Sequence, residues 1–309
     1  MKITMLKTKF LGYTLNCPLT TASGTFGYGE CYQDFFAVNE LGMLTTKGIT
    51  LEPRLGNSSP RLAEVTGGLI NSIGLENPGL DYFKAKIVPT FTAFQIPIIV
   101  NLNGKTIEEY EILATAINEI AAIAFVELNI SCPNVKEGGI LFGTDPTVTR
   151  QVVKKVRRVL TKKKLIVKLS PSVSDIKQFA IICQEEGADA ISLINTIPAM
   201  QINLKTKRPV LGNIIGGLSG PCIKPIAIRM VYEVASVVTI PVIGMGGVSS
   251  ANDVLEFLMA GASIVAIGTS LFTNPNLVLE IKRDLVTYCA EQNLQHLSDI
   301  VGIAHQKEK

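Results

Sequence analysis

Tryptophan is absent and histidine nearly so: only His296 and His305 occur, both near the C-terminus. A catalytic cysteine–histidine pair is therefore disfavoured. Cysteine is sparse as well, and Cys17, Cys31, Cys132, Cys183, Cys222 and Cys289 include no C-x-x-C pair. That spacing suggests neither a zinc site nor a self-contained iron–sulfur site, so free thiols and no bound metal are expected. Charged residues make up 18% of the chain, below the usual value of about 25%. No apolar run approaches the ~18 residues needed to cross a membrane. The opening Met1-Lys-Ile-Thr-Met-Leu-Lys-Thr-Lys-Phe10 lacks the apolar core of a signal peptide, and a cytoplasmic protein without membrane contact is expected. Neither Gly-x-x-x-x-Gly-Lys-Ser/Thr nor an early Gly-x-Gly-x-x-Gly is present, so a P-loop and a Rossmann dinucleotide site lack support.

What the chain does have is apolar content. Hydrophobic residues make up 47%, and mean hydropathy is +0.33. These values point to a large core and a further buried face, such as a subunit interface. Net charge is only +3. The basic cluster Lys154-Lys155, Arg157-Arg158 and Lys162-Lys163-Lys164 alternates with Val152, Val153, Val156 and Val159. It reads as the solvated face of an amphipathic helix; without aromatic interleaving, nucleic-acid binding is not expected.

Short apolar runs at 19–22, 43–46, 97–101, 125–129, 165–169, 190–194, 241–245 and 264–267 read as buried parallel strands. Helical stretches are expected at 107–124, 146–160, 175–186, 225–237, 251–260 and 276–292. Strand–helix alternation gives a parallel sheet. A count of eight favours a (β/α)8 TIM barrel, formed by residues 1–309 as a single domain with inserted loops at its C-terminal face. Stretches 51–80 and 195–217 exceed a minimal barrel and read as long functional or interface loops.

The groups able to do chemistry gather at strand ends. Gly244-Met-Gly-Gly-Val248 follows the seventh strand and Gly268-Thr269 the eighth, where barrels commonly hold a phosphate. Gly216-Gly217-Leu-Ser-Gly220 adds a third glycine-rich turn. Lys47 and Lys168 sit at the ends of apolar strands, where an ammonium is costly unless an anion meets it. An anionic flavin ring is such a partner. Asn71, Asn101, Asn129, Asn134 and Asn195 suggest a planar polar substrate read by amides. In Asn129-Ile-Ser-Cys-Pro-Asn134, Cys132 stands in a polar loop with no histidine nearby in sequence. This favours a proton acceptor over a histidine-activated nucleophile.

These motifs, with Asn71-Ser-Ile-Gly-Leu75, Thr46-Lys-Gly48 and Gly217-Leu-Ser-Gly-Pro221, resemble dihydroorotate dehydrogenase over essentially the whole chain, in the family's order. Cysteine in the hexapeptide is similar to class 1. The segments Asn134-Val-Lys-Glu-Gly-Gly-Ile-Leu-Phe-Gly-Thr-Asp-Pro146 and Ile223-Lys-Pro-Ile-Ala-Ile-Arg-Met-Val-Tyr-Glu233 resemble subclass 1B, the catalytic subunit of the NAD-dependent enzyme. The resemblance implies FMN in the barrel mouth and oxidation of dihydroorotate to orotate, a step of pyrimidine biosynthesis. Cys132 would remove the C5 proton while hydride leaves C6 for the flavin. Ser23, Lys47, Gly48, Asn101, Asn129, Lys168, Ile194, Gly220, Gly246, Gly247, Gly268 and Thr269 would form the cofactor site. Lys47, Asn71, Ser72, Ile73, Gly74, Leu75, Asn129, Asn134, Asn195 and Thr196 would meet the substrate. It also implies a homodimer core within a heterotetramer, whose partner subunit carries FAD and a [2Fe-2S] cluster and reduces NAD+.

Two departures stand out. The family's usual leucine and glycine–methionine pair after Asn195-Thr196 are replaced by Ile197-Pro-Ala-Met200, and Ile215 stands where threonine is common. The rival readings are a fumarate-using class 1A enzyme and an inactive flavin-binding assembly subunit.

Overall fold

The computed structural model describes residues 2–131 and 142–306; Cys132 and Asn134 lie outside the described residues. Eight short parallel strands build one sheet: β1 Leu19–Thr21, β2 Leu44–Thr45, β3 Ile98–Leu102, β4 Phe125–Asn129, β5 Lys164–Lys168, β6 Ala190–Leu193, β7 Val242–Met245 and β8 Ile264–Ile267. They run in the order β1-β8-β7-β6-β5-β4-β3-β2. Each coincides with an expected strand to within a residue or two. Side chains close the seam between β1 and β2. The Thr45 N–H donates to Thr21 Oγ1 at 3.1 Å, and the Thr21 hydroxyl donates to the Thr45 carbonyl at 3.1 Å. The Thr20 and Thr45 hydroxyls meet at 3.2 Å. Threonines thus replace a backbone ladder, and the eight strands form the expected (β/α)8 barrel.

Among the described residues, six helices of nine or more residues lie outside, α1 Ile107–Asn118, α2 Pro146–Val159, α3 Ile176–Glu185, α4 Lys224–Ala235, α5 Ala251–Met259 and α6 Leu277–Glu291, beside shorter helical turns at 79–93. Several start where a side chain satisfies free N–H groups. Thr106 accepts from Glu109, Asp145 from Thr147 and Val148, Asp175 from Lys177, and Ser250 from Asp253. Each such cap contributes about 1 kcal/mol. Helix α1 stops at Asn118 and does not reach 124. Asn118 Oδ1 accepts the Lys162 N–H at 2.8 Å, and successive turns at Ile120 and Ile123 redirect the chain into β4. Three basic residues of α2 are engaged by neighbouring helices: Arg150 with Glu185 and Glu186, Lys155 with Glu108, and Arg158 with Glu111.

Strand parity divides the core. Val126 and Leu128 of β4 pack outward among the helices, with Val100, Val167 and Ile191 of its neighbours. Phe125 points inward, into a second cluster with Ile99, Ile166, Ile243 and Ile264. An N-terminal hairpin, Thr8–Phe10 paired with Tyr13–Leu15, plugs this end of the barrel. It turns at Leu11 and Gly12, both with positive φ, as a two-residue hairpin requires. Phe10 and Tyr13 meet Phe125 edge-on, with ring centroids 5.8 and 5.1 Å apart.

The two long insertions are more ordered than expected. Leu62–Val65 pairs with Gly68–Asn71 in the first, Ile197–Ala199 pairs with Gly216–Ser219 in the second, and Gly68–Asn71 joins Gly216–Ser219 to give one four-stranded antiparallel sheet. The strands of the joining pair, Gly68–Asn71 and Gly216–Ser219, lie about 150 residues apart in sequence, so no local pattern announces that pairing. Gly217 makes the register possible, since a Cβ there would collide with Thr196 Oγ1. Part of the apolar excess sits outside on the second insertion, where Leu204 is 87% exposed and Ile214 and Ile215 more than half exposed.

Candidate active site

A cavity of about 590 Å³ opens at the C-terminal ends of the strands, within the usual range of about 300–1,000 Å³ for ligand sites. One wall is backbone. Gly246 and Gly247 take φ of 128° and 78°, and Gly220 takes 101°. A Cβ on Gly247 would stand 2.8 Å from the Gly220 carbonyl oxygen, so only glycine lets these loops approach. Among the described residues, the N–H groups of Gly246, Gly247 and Gly268 have no backbone acceptor. Thr269 donates its hydroxyl to Ser219 Oγ at 2.7 Å, tying the third loop to the second.

A brace holds the wall from behind. Lys224 pairs with Asp253 at 2.6 Å and Glu256 at 2.8 Å. Asp253 also accepts the Ser249 N–H and hydroxyl at 2.8 and 2.9 Å. Burial opposes ionisation of Asp253, yet Lys224 and Ser249 together hold its carboxyl below the usual carboxylate range.

The cavity floor carries charge and amides. Lys168, at the end of β5, is only 5% exposed, lines the cavity and has no hydrogen bond or ion pair to a described residue. Lys47 lines it from the end of β2. Between them runs a chain of hydrogen bonds. Thr196 N–H donates to Asn195 Oδ1 at 2.7 Å, Asn195 Nδ2 to Ser131 Oγ at 2.7 Å, and the Ser131 hydroxyl to Asn129 Oδ1 at 2.6 Å. Asn129 Nδ2 donates to Asn103 Oδ1 at 2.7 Å, and Asn103 Nδ2 to Asn101 Oδ1 at 2.7 Å. Asn101 Nδ2 ends the chain on Glu127 Oε2 at 2.6 Å.

Almost all the expected site residues in the described part of the chain come together here. Ser23, Gly48, Asn101, Asn129, Ile194, Gly220, Gly268 and Thr269 line the cavity with the lysines and Gly246–Gly247. Asn71, Ile73, Gly74, Leu75, Asn195 and Thr196 line it from the substrate set. Ser72 is buried behind that wall, where its Oγ accepts from Asn57 Nδ2 at 2.8 Å. Cys132 and Asn134 belong to the expected site and lie outside the described residues. Ser131, the last described residue before that segment, is buried and bonded to Asn129 and Asn195.

Asn103 lines the cavity, and Glu127 and Ser192 join its hydrogen-bond network; the sequence reading misses all three. Glu127 had a readable signal: it is a lone charge within Phe125-Val-Glu-Leu-Asn129, two residues from an inward asparagine. The reasoning that singles out Lys168 applies to it equally.

The dihydroorotate dehydrogenase family model matches residues 5–288. The chain belongs to that family. A Brachyspira hyodysenteriae protein named dihydroorotate dehydrogenase B (NAD(+)), catalytic subunit, is 51% identical over 300 residues, covering 97% of this chain and 99% of its own. A Pelobacter propionicus protein of the same name is 50% identical over 291 residues, covering 94% and 95%. Among solved structures, that of DHODH in complex with ferulenol from Eimeria tenella superposes with a TM-score of 0.81 at 21% identity, covering 98% of this chain and 89% of that one. This likeness bears on the barrel fold. No helix among the described residues is long and apolar enough to cross a membrane.

Proposed function

We propose that this chain is the catalytic subunit of an NAD-dependent dihydroorotate dehydrogenase, oxidising dihydroorotate to orotate with FMN in the barrel mouth. The observation that carries the reading is the buried Lys168 ammonium, without a described partner, facing the same cavity as the glycine wall and the asparagine chain. A buried cation of this kind calls for an anion. The residues present fit FMN. The bare N–H groups of the glycine loops suit its phosphate, and Lys168 suits the ring edge where reduction places negative charge.

When bound, FMN supplies the hydride acceptor for C6 of dihydroorotate. The rest falls to the chain. Asn71, Asn129 and Asn195, with Asn134 from beyond the described segment, hold the substrate ring by amide donors and acceptors. Lys47 meets both the flavin and the substrate, and Thr196 joins the asparagines around the ring and its carboxylate. Cys132 takes the C5 proton as general base. Loss of one proton and one hydride leaves the C5–C6 double bond of orotate.

The curated relatives are named catalytic subunits of the NAD(+) form, which supports that form over the fumarate-using one. We therefore read this chain as a single cytoplasmic domain in a homodimer core, serving a partner that carries FAD and [2Fe-2S] and completes a heterotetramer. The exposed Leu204, Ile214 and Ile215 supply apolar surface suited to burial by another subunit. Acceptor dependence tests the assignment. The purified chain with dihydroorotate should not turn over with fumarate, and should reduce NAD+ only once the partner is added. Turnover with fumarate by the chain alone would contradict it.

A further inference from the structure

We infer that Glu127 is a positioning residue that fixes the hydrogen-bond polarity of the asparagines reading the substrate. The inference rests on the dihydroorotate reading above. Glu127 sits mid-strand in β4 and is 2% exposed. Both of its carboxylate oxygens are engaged: Oε2 accepts from Asn101 at 2.6 Å and Oε1 from the Ser192 hydroxyl at 2.8 Å.

Both carboxylate oxygens of Glu127 act as acceptors here. Asn101 must therefore turn its NH2 toward Glu127 and its carbonyl toward Asn103. Asn103 must then donate to Asn101 and accept from Asn129, and Asn129 must show its carbonyl to Ser131. The far end is pinned just as firmly, because the Thr196 N–H that donates to Asn195 can only donate. The Ser131 N–H, 3.3 Å from Asn129 Oδ1, agrees with the same direction. An isolated asparagine can flip its amide at little cost. Here a carboxylate at one end and a backbone N–H at the other leave one orientation for every amide between them.

Gly48 makes room for the chain. A Cβ there would collide with Asn103 Nδ2 and crowd Asn101 Oδ1. Asn101, Asn103, Asn129 and Asn195 all line the cavity, so the polarity imposed by Glu127 decides which edge each amide shows to a ligand.

Glu127→Gln keeps the shape but lets position 127 donate as well as accept. The readout is the dissociation constant of orotate, from the change in flavin absorbance on titration, together with the limiting rate of flavin reduction by dihydroorotate. In Glu127→Gln we expect orotate affinity to fall about tenfold or more, with the limiting rate changed far less. Glu127→Asp, still acceptor-only, should recover part of the loss. If Glu127→Gln fails to load flavin, Asn103→Asp decides the matter. It places an acceptor where the chain needs a donor and should weaken orotate to the same degree. Orotate affinity within twofold of wild type in the flavin-loaded variant overturns the inference. A wild-type chain that neither binds orotate nor is reduced by dihydroorotate overturns the functional reading instead.

Discussion

The two halves of the barrel interior are built on the same strands to opposite ends. Along β4, Phe125 enters an apolar plug closed by the N-terminal hairpin, whereas Glu127 and Asn129, each two residues further on, join a continuous polar network. Period-two geometry places all three side chains inside. The lower half is packed mainly with aliphatic and aromatic side chains, and its aromatic pairs suit it to stability. The upper half gathers two lysines, a carboxylate and four asparagines, which costs desolvation that the proposed ligands would offset. The packed core and the proposed site are thus separated by height along one strand.

Substitutions can break that separation. The largest effect is expected for Cys132→Ala. Flavin should stay bound while its reduction by dihydroorotate slows by about two to four orders of magnitude, read by anaerobic stopped-flow absorbance. Near wild-type reduction would remove Cys132 as the base.

Lys168→Met should act on the upper half alone. Flavin affinity should drop by about tenfold or more, measured by fluorescence on titrating FMN into the apoprotein. The apoprotein of this variant should melt no lower than wild-type apoprotein, because a buried ammonium has been replaced by an apolar chain of similar length. Phe125→Ala should do the reverse. It should cost about 3–5 kcal/mol of stability in denaturant unfolding and leave the orotate affinity of the folded protein unchanged. If Phe125→Ala weakens orotate, or Lys168→Met destabilises the apoprotein, the halves are not independent.

The smallest effect concerns thiols away from the site. Burial pushes the Cys17 thiol up to about 11 and raises that of Cys183 still further. At pH 8 both remain protonated and enclosed, so alkylation mapped by mass spectrometry should spare them until the chain unfolds. Exposed Cys222 should label in the native protein.

Much of this arrangement was legible in the sequence. The eight apolar runs marked the strands because parallel strands covered on both faces need β-branched runs and little else. Lys47, Lys168 and the glycine turns stood out because each is expensive or unusual at a strand end. Pairings set by distance escaped. The sheet joining Gly68–Asn71 to Gly216–Ser219 leaves no periodicity in either insertion, and the Thr21–Thr45 seam depends on two strands meeting only in the closed barrel. Glu127 carries a signal as a lone charge in an apolar strand, but its role is not legible locally, because its partners Asn101 and Ser192 come from other strands.

The most direct test is anaerobic addition of dihydroorotate to the purified, flavin-loaded chain without its partner, followed by absorbance. The account predicts that the oxidised flavin band bleaches within the first turnover and stays bleached until an acceptor is supplied. A flavin that remains oxidised at saturating dihydroorotate, in a protein that holds FMN, would contradict it.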